Sequence, residues 1–221
     1  MSEYEGMSPF SANAGARSTT SQLLFGQVMW LVAVAIGFFA AGAYIGRHLT
    51  SGTGFLLEII AIVMVFAQNF VPALRRGALG TAWLYSIALL LGLGLAPILN
   101  YYTTYDPTVV YQAAGGTALT VAGMGCYGFF TSRDLMRWAR PLFAVLFIVI
   151  LASWVLVLFG SGGNPVLSVI IYLVVSAVLA INFQYLRRSA QADDAIWIAT
   201  SIFINILNIF LILLQLFGNN R

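Results

Sequence analysis

Charge is what this sequence most conspicuously lacks. Charged residues fill only 8% of the 221 positions, whereas hydrophobic residues fill 61% and the mean hydropathy is +0.92. A soluble domain of this size carries about a quarter charged residues, so a water-exposed globule cannot hide this much apolar surface. The deficit excludes a soluble fold and indicates that the lipid bilayer is the solvent. The net charge of +3 reports orientation in the membrane, and we expect no nucleic-acid partner.

Three further absences narrow the chemistry. The chain has no lysine, which excludes a retinal Schiff base. Its one cysteine, Cys126, allows neither an internal disulfide nor a thiolate metal cluster. Its one histidine, His48, lies in a short polar turn and allows no bis-histidine haem. Since no histidine-based nucleophile pair and no pair of intramembrane acids can form, we expect no enzyme activity, no cofactor and no bound metal.

Long apolar runs dominate what is present. A spanning helix needs about 20 mostly apolar residues, and the chain offers seven such runs joined by short polar turns. They predict an all-α, seven-transmembrane-helix bundle over residues 21–218, with a polar cytoplasmic arm over 1–20 and a short tail over 219–221. The predicted spans are about 22–45, 54–74, 79–99, 108–131, 138–160, 165–186 and 194–217.

The placement of arginine predicts the orientation of the bundle. With a cytoplasmic amino terminus and seven spans, eight of the ten basic residues lie on the cytoplasmic side, and only Arg47 and Arg221 lie outside. Cytoplasmic loops favour basic residues, so we expect the carboxy terminus outside. The cytoplasmic set is Arg17, Arg75, Arg76, Arg133, Arg137, Arg140, Arg187 and Arg188.

The seventh predicted span carries a narrow polar stripe. Ser201, Asn205 and Asn208 recur at helical spacing, and Gln215 continues the same face. Amides that face lipid would lie without hydrogen-bond partners, at roughly several kcal/mol each. The stripe therefore faces protein or a water-filled cavity, and the last helix is predicted to be wrapped by the others. Interhelical hydrogen bonding and a conducting or binding path are both open interpretations.

The second predicted span adds Glu58 and Asn69, whose spacing puts them on nearly the same helical face. Glu58 is the only acidic residue inside a predicted span, and intramembrane ionisable groups are functional candidates. Glu58 also lies close to the outer end of its span, where a carboxylate is tolerated. A pore or coupling role and a structural anchor are therefore both open.

Three stretches resemble the Bax inhibitor-1 family and its bacterial relatives. "LYSIALLLGLGLAPIL" (84–99) resembles the third helix of the family. "VYQAAGGTALTVAGMGCYGFFTSRDL" (110–135) resembles its fourth helix with the following turn, and "INILNIFLILLQLFG" (204–218) resembles its last helix. The resemblance covers nearly the whole chain after residue 20. It implies a seven-helix fold with the last helix central, in a bacterial-type cytoplasmic membrane.

The resemblance also implies a proton-gated calcium leak controlled by two aspartates, which this chain does not have. Asn182, in "INFQ", stands in the place of the first aspartate and Asn205 in the place of the second, while Asn208 matches a family asparagine. An amide keeps the hydrogen bonding of the acid but carries no charge near neutral pH. We therefore expect the pH switch to be lost and a static tie between Asn182 and Asn205 to survive. The family arginine of the second helix has no match in "AQNF" (67–70).

Two functions are open after this reasoning. The favoured one is a non-catalytic accessory or regulatory subunit of a membrane complex, with a membrane-protein partner that contacts the polar arm. The alternative is a cation leak channel that is no longer proton-gated. The loss of two carboxylates weakens the case for calcium, and calcium binding is left open.

Overall fold

The computed structural model describes residues 9–142, 144, 145, 148, 165–188 and 191–218. These residues form long helices and single helical turns, without a β-strand among them. The predicted fifth span, 138–160, falls largely outside the described residues. The long helices are α1 (Pro9–Ile45), α2 (Ser51–Phe70), α3 (Gly77–Tyr105), α4 (Pro107–Phe130), α5 (Pro165–Arg188) and α6 (Ala195–Gly218).

Prolines explain where two helices begin and end. α2 ends at Phe70, earlier than predicted, because Pro72 drives Val71 into an extended conformation with φ −114° and ψ 100°. α4 begins at Pro107, where a missing backbone N–H does no harm in the first helical turn. α3 ends at Tyr105, because the next residue, Asp106, precedes that proline and is kept out of the helical conformation.

α1 is longer than the sequence predicts. It begins at Pro9 rather than near residue 22, so the second half of the predicted arm continues the first span as a helix. The arm lacks the periodic apolar residues that indicate an amphipathic helix, so its sequence does not predict one. At ~1.5 Å per residue, a helix of 37 residues is about 55 Å long.

Five of the described helices are long and apolar enough to cross a membrane: α1, α2, α3, α5 and α6. α4 is 24 residues long, which is also sufficient for a span. Its glycines, alanines and threonines make it less hydrophobic than the other five. The all-α membrane bundle is confirmed, and α4 as a spanning helix stays a prediction from length.

The last helix, α6, is the centre of the bundle, as predicted. It packs against α1, α3, α4 and α5, and 56% of its spanning window is buried, compared with 17% for the peripheral α2. Its fully buried side chains include Ile202, Phe203, Ile209 and Leu214. The wrapping helices therefore remove most of α6 from lipid.

Glycines let the helices around α6 approach one another closely. A Cβ at Gly92 of α3 would overlap the carbonyl oxygen of Phe39 in α1, and a Cβ at Gly128 of α4 would overlap that of Ala180 in α5. On another face of α3, Gly94 packs against Gly54 of α2. Such contacts matter because helix association in lipid depends on van der Waals packing at small residues.

Alanine substitution at these contacts should loosen the bundle. We expect Gly92→Ala and Gly128→Ala each to destabilise the protein by about 1–3 kcal/mol, since the added methyl group meets backbone that cannot move aside. Thermal unfolding of the purified protein in mild detergent measures the effect. Gly37→Ala and Gly123→Ala are matched controls, because nothing lies within 4 Å of a Cβ at either position. Equal melting temperatures for all four variants would contradict this packing.

Candidate functional site

A polar cavity of about 260 Å³ lies beside the central helix, between α2, α5 and α6. At ~30 Å³ per water molecule it has room for about eight waters. None of its lining residues ionises, and the described chain contains no group of three or more His, Cys, Asp or Glu side chains that could hold a metal. The polar lining residues are Gln68, Asn69, Thr200, Ser201, Asn205 and Asn208, and the others are Val65, Phe66, Val178, Trp197 and Ile204.

Two asparagines of the predicted stripe present unpaired amides to this cavity. Asn205 is 7% exposed and Asn208 is half-buried, and neither side chain makes a hydrogen bond to the described part of the chain. A buried polar group left without a partner costs about 1–3 kcal/mol. Both amides face the polar cavity, which is large enough to hold water molecules that can satisfy them.

Asn182 finds a different partner from the one expected. Its Nδ2 donates to Ser201 Oγ at 2.9 Å, and no hydrogen bond joins Asn182 to Asn205 among the described residues. Ser201 lies one helical turn before Asn205 on the same face of α6. A hydrogen bond therefore joins α5 to α6 at Asn182, but its partner is Ser201 and not Asn205.

Gln68 makes a second uncharged hydrogen bond to the central helix, and this residue is not among those predicted from the sequence. Its Nε2 donates to Leu74 O and to Thr200 Oγ1, both at 3.2 Å, and the side chain is only 2% exposed. Gly54, Ala61 and Gln68 are the buried residues of α2. Their spacing of seven was a signal in the sequence that could have identified the inward face of α2.

The arginine that follows α2 closes the end of that helix. Arg75 Nε donates to Gln68 O at 2.7 Å, and its guanidinium also donates to the carbonyl oxygen of Asn69. A cation at a helix carboxy terminus satisfies the last carbonyl groups and interacts favourably with the helix dipole. The amide of Asn69 itself donates to Val65 O within α2, at 3.2 Å.

Gln184 fixes the turn after α4. It is fully buried, accepts a hydrogen bond from the Leu135 N–H at 2.7 Å and donates to Arg133 O at 2.6 Å. Arg187 and Arg188 both donate to Thr131 O, at 3.2 and 2.9 Å. The last turn of α5 therefore holds the α4 turn in place, a structural role beyond the orientation signal read from the arginines.

The remaining predicted residues lie away from the cavity. Glu58 is half-buried at the seam between α2 and α3, opposite Gly94, and it does not line the cavity with Asn69. Gln215 is exposed, and its Oε1 lies 3.5 Å from Ser168 Oγ. Exposed positions after α4 are occupied by Arg137 and Arg140.

A second cavity, which we call the vestibule, opens at the end of the bundle that carries the clustered arginines. Its volume is about 250 Å³. Arg76 and Asp193 form an exposed ion pair there at 3.3 Å, and the Tyr185 hydroxyl donates to Asp194 Oδ2 at 3.3 Å. An exposed pair of this kind contributes only about 0–1 kcal/mol, so it marks a polar surface more than a stabilising contact. The vestibule is lined by Pro72, Arg75, Arg76, Tyr185, Asp193, Asp194 and Trp197.

An apolar helical bundle with a buried polar central helix defines an integral membrane protein, and comparison with known proteins gives its family. The chain belongs to the Bax inhibitor-1 family: the sequence profile described as "Inhibitor of apoptosis-promoting Bax1" matches residues 21–221.

The relatives are themselves membrane proteins. An uncharacterized membrane protein of Streptococcus pyogenes serotype M3 is 31% identical over 171 residues, which cover 73% of this chain and 72% of the relative. One from Vibrio cholerae is 28% identical over 199 residues, covering 86% and 84%. The inner membrane protein YbhL of Escherichia coli is 27% identical over 182 residues, covering 76% and 74%.

Loss of the Gln184 amide should destabilise the arginine-bearing end of the bundle. We expect Gln184→Leu to lower stability by about 1–3 kcal/mol, because it leaves the Leu135 N–H and the Arg133 carbonyl group without their partner from α5. Gln184→Glu should also be destabilising, since it removes the donor to Arg133 O. Thermal unfolding in detergent measures both variants, with exposed Gln112→Leu as the control. A Gln184→Leu protein as stable as the Gln112→Leu protein would contradict this role.

Proposed function

We propose that this protein is a non-catalytic interaction or regulatory subunit of a membrane complex, whose core does not respond to protons. The observation that carries the proposal is the neutral lining of the polar cavity, where the described lining residues offer amides and hydroxyl groups and none of them ionises. Two carboxylates held close together share a proton and can switch with pH. The amides of Asn182 and Asn205 carry no proton to exchange and cannot switch in this way.

The packing of α6 beyond the cavity also favours this role over free conduction. Towards its carboxy end, α6 buries Ile209, Leu213 and Leu214, which are at most 8% exposed. These side chains supply no hydrogen-bonding groups that could replace the hydration of an ion. Among the described residues, the lining of the cavity ends at Asn208, and Gln215, further along the same face, is exposed and lies beside Ser168 of α5 instead.

The long first helix supports a contact outside the membrane. α1 is about 55 Å long at ~1.5 Å per residue, whereas the hydrocarbon core of a bilayer is about 30 Å thick. The part of α1 near Pro9 therefore extends beyond the hydrocarbon core. In the proposed arrangement the arginine-bearing end and this extension lie in the cytoplasm, the carboxy terminus lies outside, and the membrane is the bacterial cytoplasmic membrane.

A partner bound through the arm should co-purify with the intact protein. We expect the chain purified from its native membrane in mild detergent to carry one membrane protein at a fixed stoichiometry, and deletion of residues 2–20 to remove it. The deletion leaves the spanning part of α1 intact, so the melting temperature of the bundle is the control for folding. An intact chain that purifies alone, or a partner that the deletion does not release, would count against a contact at the arm.

A cation leak is the second candidate, and the unpaired amides of Asn205 and Asn208 favour it. Amide and hydroxyl oxygens can ligate cations, and these side chains face a cavity large enough for a hydrated ion. Without carboxylates the cavity has little preference for a divalent over a monovalent cation. This leak would be insensitive to pH, because no described side chain of the cavity ionises.

Cation flux into proteoliposomes separates the two candidates and tests the missing proton switch. We expect flux through the unaltered protein to change by less than about twofold between pH 5 and 8, because no cavity group titrates there. The double substitution Asn182→Asp with Asn205→Asp should introduce a pH dependence, since it restores a carboxylate pair. Asn100→Asp, at an exposed position outside the cavity, is the control. A sigmoidal pH dependence in the unaltered protein would refute a proton-insensitive core, and a high, pH-independent flux would favour the leak.

A further inference from the structure

The vestibule and the polar cavity follow one another along the same face of α6. The vestibule touches Asp193 and Asp194 in the turn before α6 and Trp197 on α6, and the cavity begins at Trp197 and continues to Asn208. The other two helices show the same order. From the α2 side, Pro72, Arg75 and Arg76 line the vestibule, and four residues of the last two turns of α2 line the cavity. From α5, Tyr185 lines the vestibule and Val178 the cavity. The two spaces are therefore consecutive rather than separate surface features.

Trp197 lines both spaces. It stands four residues before Ser201, so the indole occupies the next position of the polar stripe towards the arginine-bearing end. Beyond it, towards that end, the exposed Arg76 and Asp193 face solvent. Within it, Asn205 and Asn208 line the polar cavity and make no side-chain hydrogen bond to the described residues. The largest side chain on this face of α6 thus stands between the open vestibule and the polar cavity.

The surroundings of Trp197 hold the indole in place. The ring of Tyr185 on α5 lies edge-on to it, with ring centroids 6.0 Å apart and an angle of 81° between the planes. The Tyr185 hydroxyl is in turn held by Asp194 at the start of α6. Edge-to-face aromatic pairs contribute about 0.5–1.5 kcal/mol beyond the burial of their surface. That is enough to favour one position of the indole, and small enough to allow it to move.

We infer that Trp197 is the barrier on an access route from the arginine-bearing end, and that it determines how fast water and small hydrophilic molecules reach Asn205 and Asn208. On the same face, Ile212 and Gln215 follow Asn208 towards the carboxy end of α6, and neither lines the cavity. The inference rests on the polar cavity used in the proposed function, but its test reads thiol reactivity rather than flux or partner binding, so the two can fail separately.

The test uses a single reporter cysteine in the cavity. Cys126→Ala removes the one native thiol, and Asn208→Cys places a thiol in the cavity while Asn205 stays intact. The protein is reconstituted in lipid nanodiscs and treated with a trimethylammonium methanethiosulfonate reagent, whose fixed charge confines it to water. Mass spectrometry follows the rate of modification with Trp197, with Trp197→Phe and with Trp197→Ala.

We expect Trp197→Ala to raise the modification rate by at least about tenfold, because the route then no longer requires a local opening of the bundle. Trp197→Phe should give a smaller increase. Trp30→Ala is the matched control, since Trp30 is 70% exposed and lines neither space, and it should leave the rate unchanged. A second reporter, Leu213→Cys, is buried on another face of α6, against Gly116 of α4, and should stay unreactive in the Trp197→Ala protein.

Three results would overturn the inference. The first is a rate at Asn208→Cys that Trp197→Ala does not change, which would mean that the reagent enters by another route. The second is an equal increase with Trp30→Ala. The third is a parallel increase at Leu213→Cys, which would mean that the loss of the indole loosens the whole bundle instead of opening one route.

Discussion

The rest of the structure depends on one constraint: the amides on the central helix need hydrogen-bond partners, and the hydrocarbon of the bilayer offers none. Hydrocarbon offers no partner to an amide, so α6 is stable in the bilayer only when protein or trapped water covers Asn205 and Asn208. The other helices provide that cover, and the glycines of α3 and α4 let them come close enough to do so. The central position of α6 follows from its few polar residues more than from its many apolar ones.

Neutral hydrogen bonds join the helices of the core. Asn182 donates to Ser201 and Gln68 donates to Thr200, so α5 and α2 are both joined to α6 by uncharged hydrogen bonds. Removal of one partner from a buried ion pair leaves an uncompensated charge. Amides on α5 and α6 and the neutral "AQNF" segment avoid that penalty. In the proposed function, such a core keeps its geometry and does not sense protons.

Much of the fold could be predicted from hydropathy, and much of the site could not. The spans of α2, α3, α5 and α6 and the inward face of α6 follow from apolar run length and helical periodicity. The helical arm before residue 22 carries no apolar stripe, and nothing in its sequence predicts it. The partner of Asn182 depends on the register of α5 against α6, which side-chain spacing within one helix cannot give. Gln68 and Trp197 were missed for a related reason, because each acts through neighbours on other helices.

The position of α6 as a function of pH tests the central claim most directly. Experimental density maps of the protein in lipid nanodiscs, recorded near pH 5 and near pH 8, would show the helix in both conditions. If neutral amides hold the core, α6 keeps its position, Asn182 Nδ2 stays within hydrogen-bonding distance of Ser201 Oγ, and water fills the cavity at both pH values. A shift of α6 between the two maps, or a break of the Asn182–Ser201 contact in one of them, would contradict the claim.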